Sequence, residues 1–204
     1  MAELSEEEIN RRHNEKSAKR KVFQDRLVKE ADKTKQLLIV YTGAGKGKST
    51  AAFGTMLRAL GHGYKVGVVQ FIKGAWSTGE QKALERFDNL VAYEAGGEGF
   101  TWDTQDRARD MEKARATWEV ARRMMDDSSY HLVVLDELNI VLRYDYLPVA
   151  EIVAALAKRK MHVIVTGRNA PQPLVDSADL VTEMKLVKHP FREQGVKAQK
   201  GIEF

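Results

Sequence analysis

Leu37-Leu38-Ile39-Val40-Tyr41-Thr42-Gly43-Ala44-Gly45-Lys46-Gly47-Lys48-Ser49-Thr50 is the stretch on which the reading of the whole chain turns. Its opening apolar run, Leu37 to Tyr41, describes a strand buried on both faces, as in a parallel sheet. Glycines at 43, 45 and 47 follow, and the segment from Ser49 to Leu60 has helical character and stops at Gly61. Strand, glycine-rich loop and helix in that order make a phosphate cradle. Glycines let successive backbone N–H groups turn inward, and the positive end of the helix reinforces them. Thr42, Gly43, Ala44, Gly45, Lys46, Gly47, Lys48, Ser49 and Thr50 are therefore the candidate nucleotide-binding residues, for ATP with Mg²⁺ (Mn²⁺ as a substitute). Lys48 would reach the terminal phosphates, and the Ser49 hydroxyl would ligate the metal. In the general pattern G-x-x-x-x-G-K-[ST] a glycine stands five residues before the second glycine. Here Thr42 holds that place and Gly43 comes one position late, so the loop is one residue tight.

Beyond the loop, strands and helices alternate. Lys65 to Phe71, Leu90 to Glu94, Leu132 to Leu135, His162 to Thr166 and Leu180 to Met184 read as strands. Helices are expected around Glu80 to Arg86, from Thr104 to Asp126 and from Pro148 to Lys160. Met111, Ala114, Trp118, Ala121 and Met125 recur at helical spacing and are assigned to the core. Short, continuously apolar strands between helices predict an α/β fold: an open, mainly parallel sheet with helices on both faces, the phosphate-loop (RecA-like) NTPase architecture. Ligands of such sheets sit at the carboxyl ends of the strands, where every motif named here falls.

The second half of a nucleotide site should be an acidic group closing a neighbouring strand. Asp136-Glu137, directly after Leu132 to Leu135, fits, and both are candidate metal ligands with Ser49. Arg168, at the end of His162 to Thr166, is a further nucleotide-binding candidate. The residues alone leave the reaction open between a phosphate-loop ATPase of motor or nucleic-acid-remodelling type, a kinase, and a regulatory module that binds ATP without turnover.

The 204 residues, 43% of them hydrophobic, suffice for one ordinary core with a short appendage. Residues 36–204 form the expected α/β catalytic domain. Residues 1–35 are dense in charge and begin with Ser5-Glu6-Glu7-Glu8, a capping box, so a charged helical extension is expected there. Phe23, Leu27 and Ala31 would give it one narrow apolar stripe. Cysteine is absent, which excludes disulfides, iron–sulfur clusters and thiolate zinc sites. No apolar run approaches the roughly 20 residues of a membrane span, and no signal-peptide core opens the chain, so a cytoplasmic protein without membrane contact is expected. The net charge of +4 is spread among interleaved charges of both signs, the pattern of a mixed solvated surface, and no nucleic-acid partner is assigned.

Residues 42–54 (Thr-Gly-Ala-Gly-Lys-Gly-Lys-Ser-Thr-Ala-Ala-Phe-Gly) and Val68-Val69-Gln70-Phe71-Ile72-Lys73-Gly74 closely resemble the ATP:corrinoid adenosyltransferases of the phosphate-loop type. In order along the chain, Gly99-Phe100-Thr101-Trp102, Val133 to Leu138, Tyr144 to Pro148, Thr166-Gly167-Arg168, Val187-Lys188-His189 and Gly195 to Ile202 are also similar to that family. The tight loop is itself a family mark, associated with ATP held in reversed orientation. The resemblance implies attack of a corrinoid Co(I) on the ribose C5′ of ATP with expulsion of the whole triphosphate. Lys48 would then serve the leaving group, and Glu137 would be the direct metal ligand. Phe100 and Trp102 would bind the corrinoid and displace its lower axial ligand, which makes them catalytic candidates with Lys48. The resemblance further implies a flavoprotein reductant, a homodimer, and an N-terminal segment that covers the active site.

Overall fold

The computed structural model describes residues 5–72, 79–96 and 106–203. The chain divides into two compact units, one ending at Lys35 and the other beginning at Gln36. The first is a single helix, α1 (Glu6–Glu30), with no buried residue. Ser5 caps it: its hydroxyl accepts from the Glu8 N–H at 3.3 Å, and Glu6, Glu7 and Glu8 place negative charge at the positive end of the helix. Phe23 and Leu27 are exposed on it, and Ala31 stands outside it as the C-cap, so the expected stripe has only two members on the helix.

The second unit is an α/β sandwich around six parallel strands, β1 (Leu38–Thr42), β2 (Val66–Gln70), β3 (Val91–Ala95), β4 (Leu132–Asp136), β5 (His162–Thr166) and β6 (Leu180–Glu183). Their spatial order is β3-β2-β4-β5-β1-β6, and every pairing is parallel. Alternate residues of each strand feed two cores. On one face Val66, Val68, Leu132, Val134 and Ile164 pack with Ala52, Met56, Ala59 and Leu60 of α2 (Lys48–Gly61). Leu84 of α3 (Gly79–Leu84) joins them, followed by a 3₁₀ turn, Glu85–Leu90.

On the other face Val69, Val133, Leu135, Val163 and Val165 meet α4 (Arg107–Asp126), α5 (Leu138–Arg143), α6 (Val149–Ala157) and α7 (Gln172–Ser177). A short α8 (Pro190–Gln194) follows β6. Helices α5, α7 and α8 span six, six and five residues, too short for a readable periodicity, and are absent from the sequence-based expectation. Connections that step toward β3 run over the α2 face, and those that step back toward β6 run over the α4 face, as one handedness of crossover requires. All six carboxyl ends therefore share one edge of the sheet.

Trp118 of α4 is fully buried, and its indole N–H has no hydrogen-bond partner among the described residues. Trp118→Ala should lower stability by about 3–5 kcal/mol in urea unfolding. Trp118→Phe should recover most of that, because it removes an unsatisfied polar group together with only part of the ring volume.

Candidate functional site

At the end of β1 the chain enters the glycine loop. Gly43 and Gly47 adopt φ of +99° and +100°, in the left-handed region that a side chain disfavours. Gly45 is required for space: a Cβ there would lie 2.7 Å from the Met184 and Lys185 carbonyl oxygens. The extension of β6 forms the back wall of the loop. Met184 N–H donates to Thr42 O at 2.8 Å, and Gly45 N–H donates to Met184 O at 2.6 Å. Thr42, the residue in place of the first glycine, ends β1, and its Oγ1 accepts from the Ala170 N–H at 3.0 Å. The tight loop is thus fastened on one side to β6 and on the other to the turn after β5.

Gly47 caps α2 without a side-chain acceptor, leaving the first-turn N–H groups and the positive helix end for an anion. Lys48 is 6% exposed, and its Nζ donates to Gly45 O at 2.6 Å. Burial lowers its pKa, against the pull of Glu137. Lys46 points outward and pairs with Glu203 Oε2 at 2.5 Å. Ser49 is half-buried, while Ala44 and Thr50 are exposed.

The acidic pair lies two strands away from β1, at the end of β4, with β5 between them. Asp136 is 2% exposed. Its Oδ1 accepts from the Thr166 hydroxyl at 2.7 Å and its Oδ2 from Gln70 Nε2 at 3.2 Å. Strand alternation would send Glu137 to the opposite face. Instead Glu137 takes φ +59°, its N–H donates to Thr166 Oγ1 at 2.9 Å, and its charge acts on Lys48 more strongly than that of Asp136. Burial, and next the Asp136 charge, push the Glu137 carboxyl up to about 7. Arg168 is half-buried after β5, and its charge acts on both Lys48 and Glu137. Gly167, at φ +126°, is held by Asn139 Nδ2, which donates to Gly167 O at 3.0 Å.

The structure therefore brings together Lys48, Asp136, Glu137 and Arg168. Phe100, Trp102 and Lys73 lie outside the described residues. Gln70, Thr166 and Asn139 escaped the sequence-based site assignment. A polar Gln closing the apolar run Val66 to Val69 was the available signal.

Among the described residues no three His, Asp or Glu side chains converge as a metal site. The donor set nonetheless fits Mg²⁺ bound with a nucleotide, an ion that takes one or two protein oxygens and completes its octahedron with water and phosphate. Glu137 has a carboxylate with no hydrogen bond or ion pair among the described residues, and Ser49 offers a hydroxyl. Asp136 has both oxygens engaged.

A buried lysine on a strand–loop–helix unit, set across one intervening strand from two carboxylates, defines the phosphate-loop class of α/β proteins. Within it the chain belongs to the ATP:corrinoid adenosyltransferase BtuR/CobO/CobP family, whose model matches residues 34–204. It is 51% identical over 199 residues to a corrinoid adenosyltransferase of Pseudomonas aeruginosa, covering 97% of this chain and 98% of that one. The corrinoid adenosyltransferase of a Sinorhizobium species is 50% identical over 206 residues, with 99% and 96% covered. That of Escherichia coli K12 is 47% identical over 195 residues, with 95% and 98% covered. The protein is accordingly an enzyme of the transferase class.

Gly43→Ala forces a Cβ to 2.5 Å from Met184 O at a positive φ, and should weaken ATP binding about tenfold or more in calorimetry. Gly54→Ala, in α2 with nothing within 4 Å of the new Cβ, should keep binding and add about 0.5–1 kcal/mol of stability. Because the folded-state pKa of Glu137 lies above its ordinary 4.5, the folded protein holds this proton more tightly than the unfolded chain. The stability it contributes is complete below 4.5 and is lost as pH rises through about 7. Glu137→Gln should therefore gain stability relative to wild type between pH 5 and pH 8, measured by urea unfolding of the ligand-free protein.

Proposed function

We propose that the enzyme transfers the 5′-deoxyadenosyl group of ATP to the Co(I) of a reduced corrinoid and releases triphosphate, in the formation or salvage of adenosylcobalamin. The observation that carries this reading is the buried Lys48 beneath an uncapped helix end, facing Glu137, in a chain of this family. The cobalt–C5′ bond forms with the electron pair of Co(I), the C5′–O bond breaks, and its electron pair leaves on the triphosphate. The nucleophile is the substrate metal itself, so no Ser, Cys or His has to be activated. The protein's work is alignment of C5′ and stabilisation of a polyanionic leaving group.

In this reading the loop amides from Gly43 to Lys48 and the Lys48 ammonium take the phosphates, and Ser49 and Glu137 hold Mg²⁺. The ion supplies charge neutralisation for the leaving triphosphate. Lys48 gives up its contact with Gly45 O for phosphate oxygens, a stronger, charge-assisted pairing. Arg168 adds a second positive charge beside the nucleotide. Phe100 and Trp102 are assigned to the corrinoid by family resemblance, with a flavoprotein as the source of electrons and a cytoplasmic homodimer as the working form. No helix among the described residues is long and apolar enough to cross a membrane.

Incubation with ATP, Mg²⁺ and chemically reduced cobalamin should bleach the Co(I) spectrum and release intact triphosphate. Phosphate release without corrinoid would instead mark a hydrolase. Trp102→Ala should depress transfer by about 10²-fold, the scale of losing one group that acts in the transition state, while leaving ATP affinity nearly unchanged. Equal loss of both would count against the corrinoid assignment.

A further inference from the structure

A chain of side-chain hydrogen bonds crosses four adjacent strands at the site edge of the sheet. The Tyr93 hydroxyl of β3 donates to Gln70 Oε1 of β2 at 3.1 Å. Gln70 Nε2 donates to Asp136 Oδ2 of β4 at 3.2 Å, and the Thr166 hydroxyl of β5 donates to Asp136 Oδ1 at 2.7 Å. Thr166 Oγ1 then accepts the Glu137 N–H at 2.9 Å. Register explains the alignment. Gln70 is paired with Asp136 and with Ala95, two residues from Tyr93, so these side chains share a sheet face. It is the face covered by α2, whose first residue is Lys48.

We propose that Gln70 and Tyr93 are positioning residues for the nucleotide-bound metal: they complete the hydrogen bonding of Asp136, making it a fixed anchor, and leave Glu137 as the one carboxylate offered to the ion. This rests on the reading of the site as an ATP–Mg²⁺ site. An Asp that is 2% exposed, with no ion pair among the described residues, needs its oxygens satisfied by hydrogen bonds. Thr166 satisfies one, and Gln70 the other. A metal ion approaching Asp136 would have to share an oxygen with one of these donors.

Gln70 can donate to Asp136 only with its amide in one orientation, and Tyr93 fixes that orientation by occupying Oε1. Burial and the nearby Asp136 charge push the Tyr93 hydroxyl up to about 12, so it remains a donor at physiological pH. The anchored Asp136 holds Thr166, and Thr166 holds the Glu137 backbone at its left-handed φ. Gln70 thus acts on the metal through three successive contacts without touching it.

The test is ATP binding by calorimetry, in EDTA and across a Mg²⁺ titration, for wild type, Gln70→Leu, Tyr93→Phe and the double variant. Gln70→Leu should raise the half-saturating Mg²⁺ concentration about 10–100-fold, the usual cost of losing a metal's outer-shell support. Its affinity for ATP in EDTA should stay within about twofold of wild type, since the loop and Lys48 are untouched. Tyr93→Phe, which keeps the ring and the fold, should shift the Mg²⁺ requirement in the same direction by a smaller factor. The double variant should match Gln70→Leu, because Tyr93 acts only through Gln70. An unchanged Mg²⁺ requirement in both single variants, or equal losses with and without Mg²⁺, overturns the proposal while the function stands. A wild-type protein whose ATP binding ignores Mg²⁺ overturns the metal reading itself, and the proposal with it.

Discussion

The Thr166 hydroxyl donates to Asp136 and accepts from the Glu137 backbone, and the rest of the site depends on this double contact. It exists because β5 runs between β1 and β4. Two inter-strand spacings, roughly 10 Å, separate the ends of β1 and β4 in consequence. With β5 between them the lysine rests on a carbonyl of its own loop. An apolar residue at 166 would deprive the buried Asp136 of its shortest donor and release the turn that presents Glu137.

Burial lowers the pKa of Lys48 and raises that of Glu137, so each resists its charged form. Polyphosphate would relieve the first, and a divalent cation the second. Neither ligand alone balances the site, since phosphate adds negative charge near Glu137 and the cation adds positive charge near Lys48 and Arg168. Complementary arrivals favour each other, so the arrangement suits a metal–nucleotide complex better than its components.

Much of this was legible in the sequence because it is local. The continuously apolar strands gave an α/β sheet, and the loop from Thr42 to Thr50 stands between a strand and a helix as its residues required. Asp136-Glu137 and Arg168 fall at strand ends beside it. What escaped is non-local. The left-handed φ of Glu137 follows from Thr166, 29 residues away, and the role of Gln70 follows from Tyr93 and Asp136 on neighbouring strands. Propensity and periodicity report a residue's own element and do not say which element stands next to it. The short helices were hidden for the opposite reason: five or six residues hold less than two turns of pattern.

Gly43 and Gly45 lie within ångströms of Met184 and Lys185, so the wall behind the phosphate loop is contributed by a segment some 140 residues further along the chain. During synthesis the loop and α2 leave the ribosome early, at a few residues per second up to about twenty. Their partner strand emerges only seconds later, after almost the whole sheet. A nascent chain therefore carries the glycine loop before it has the wall against which that loop is shaped.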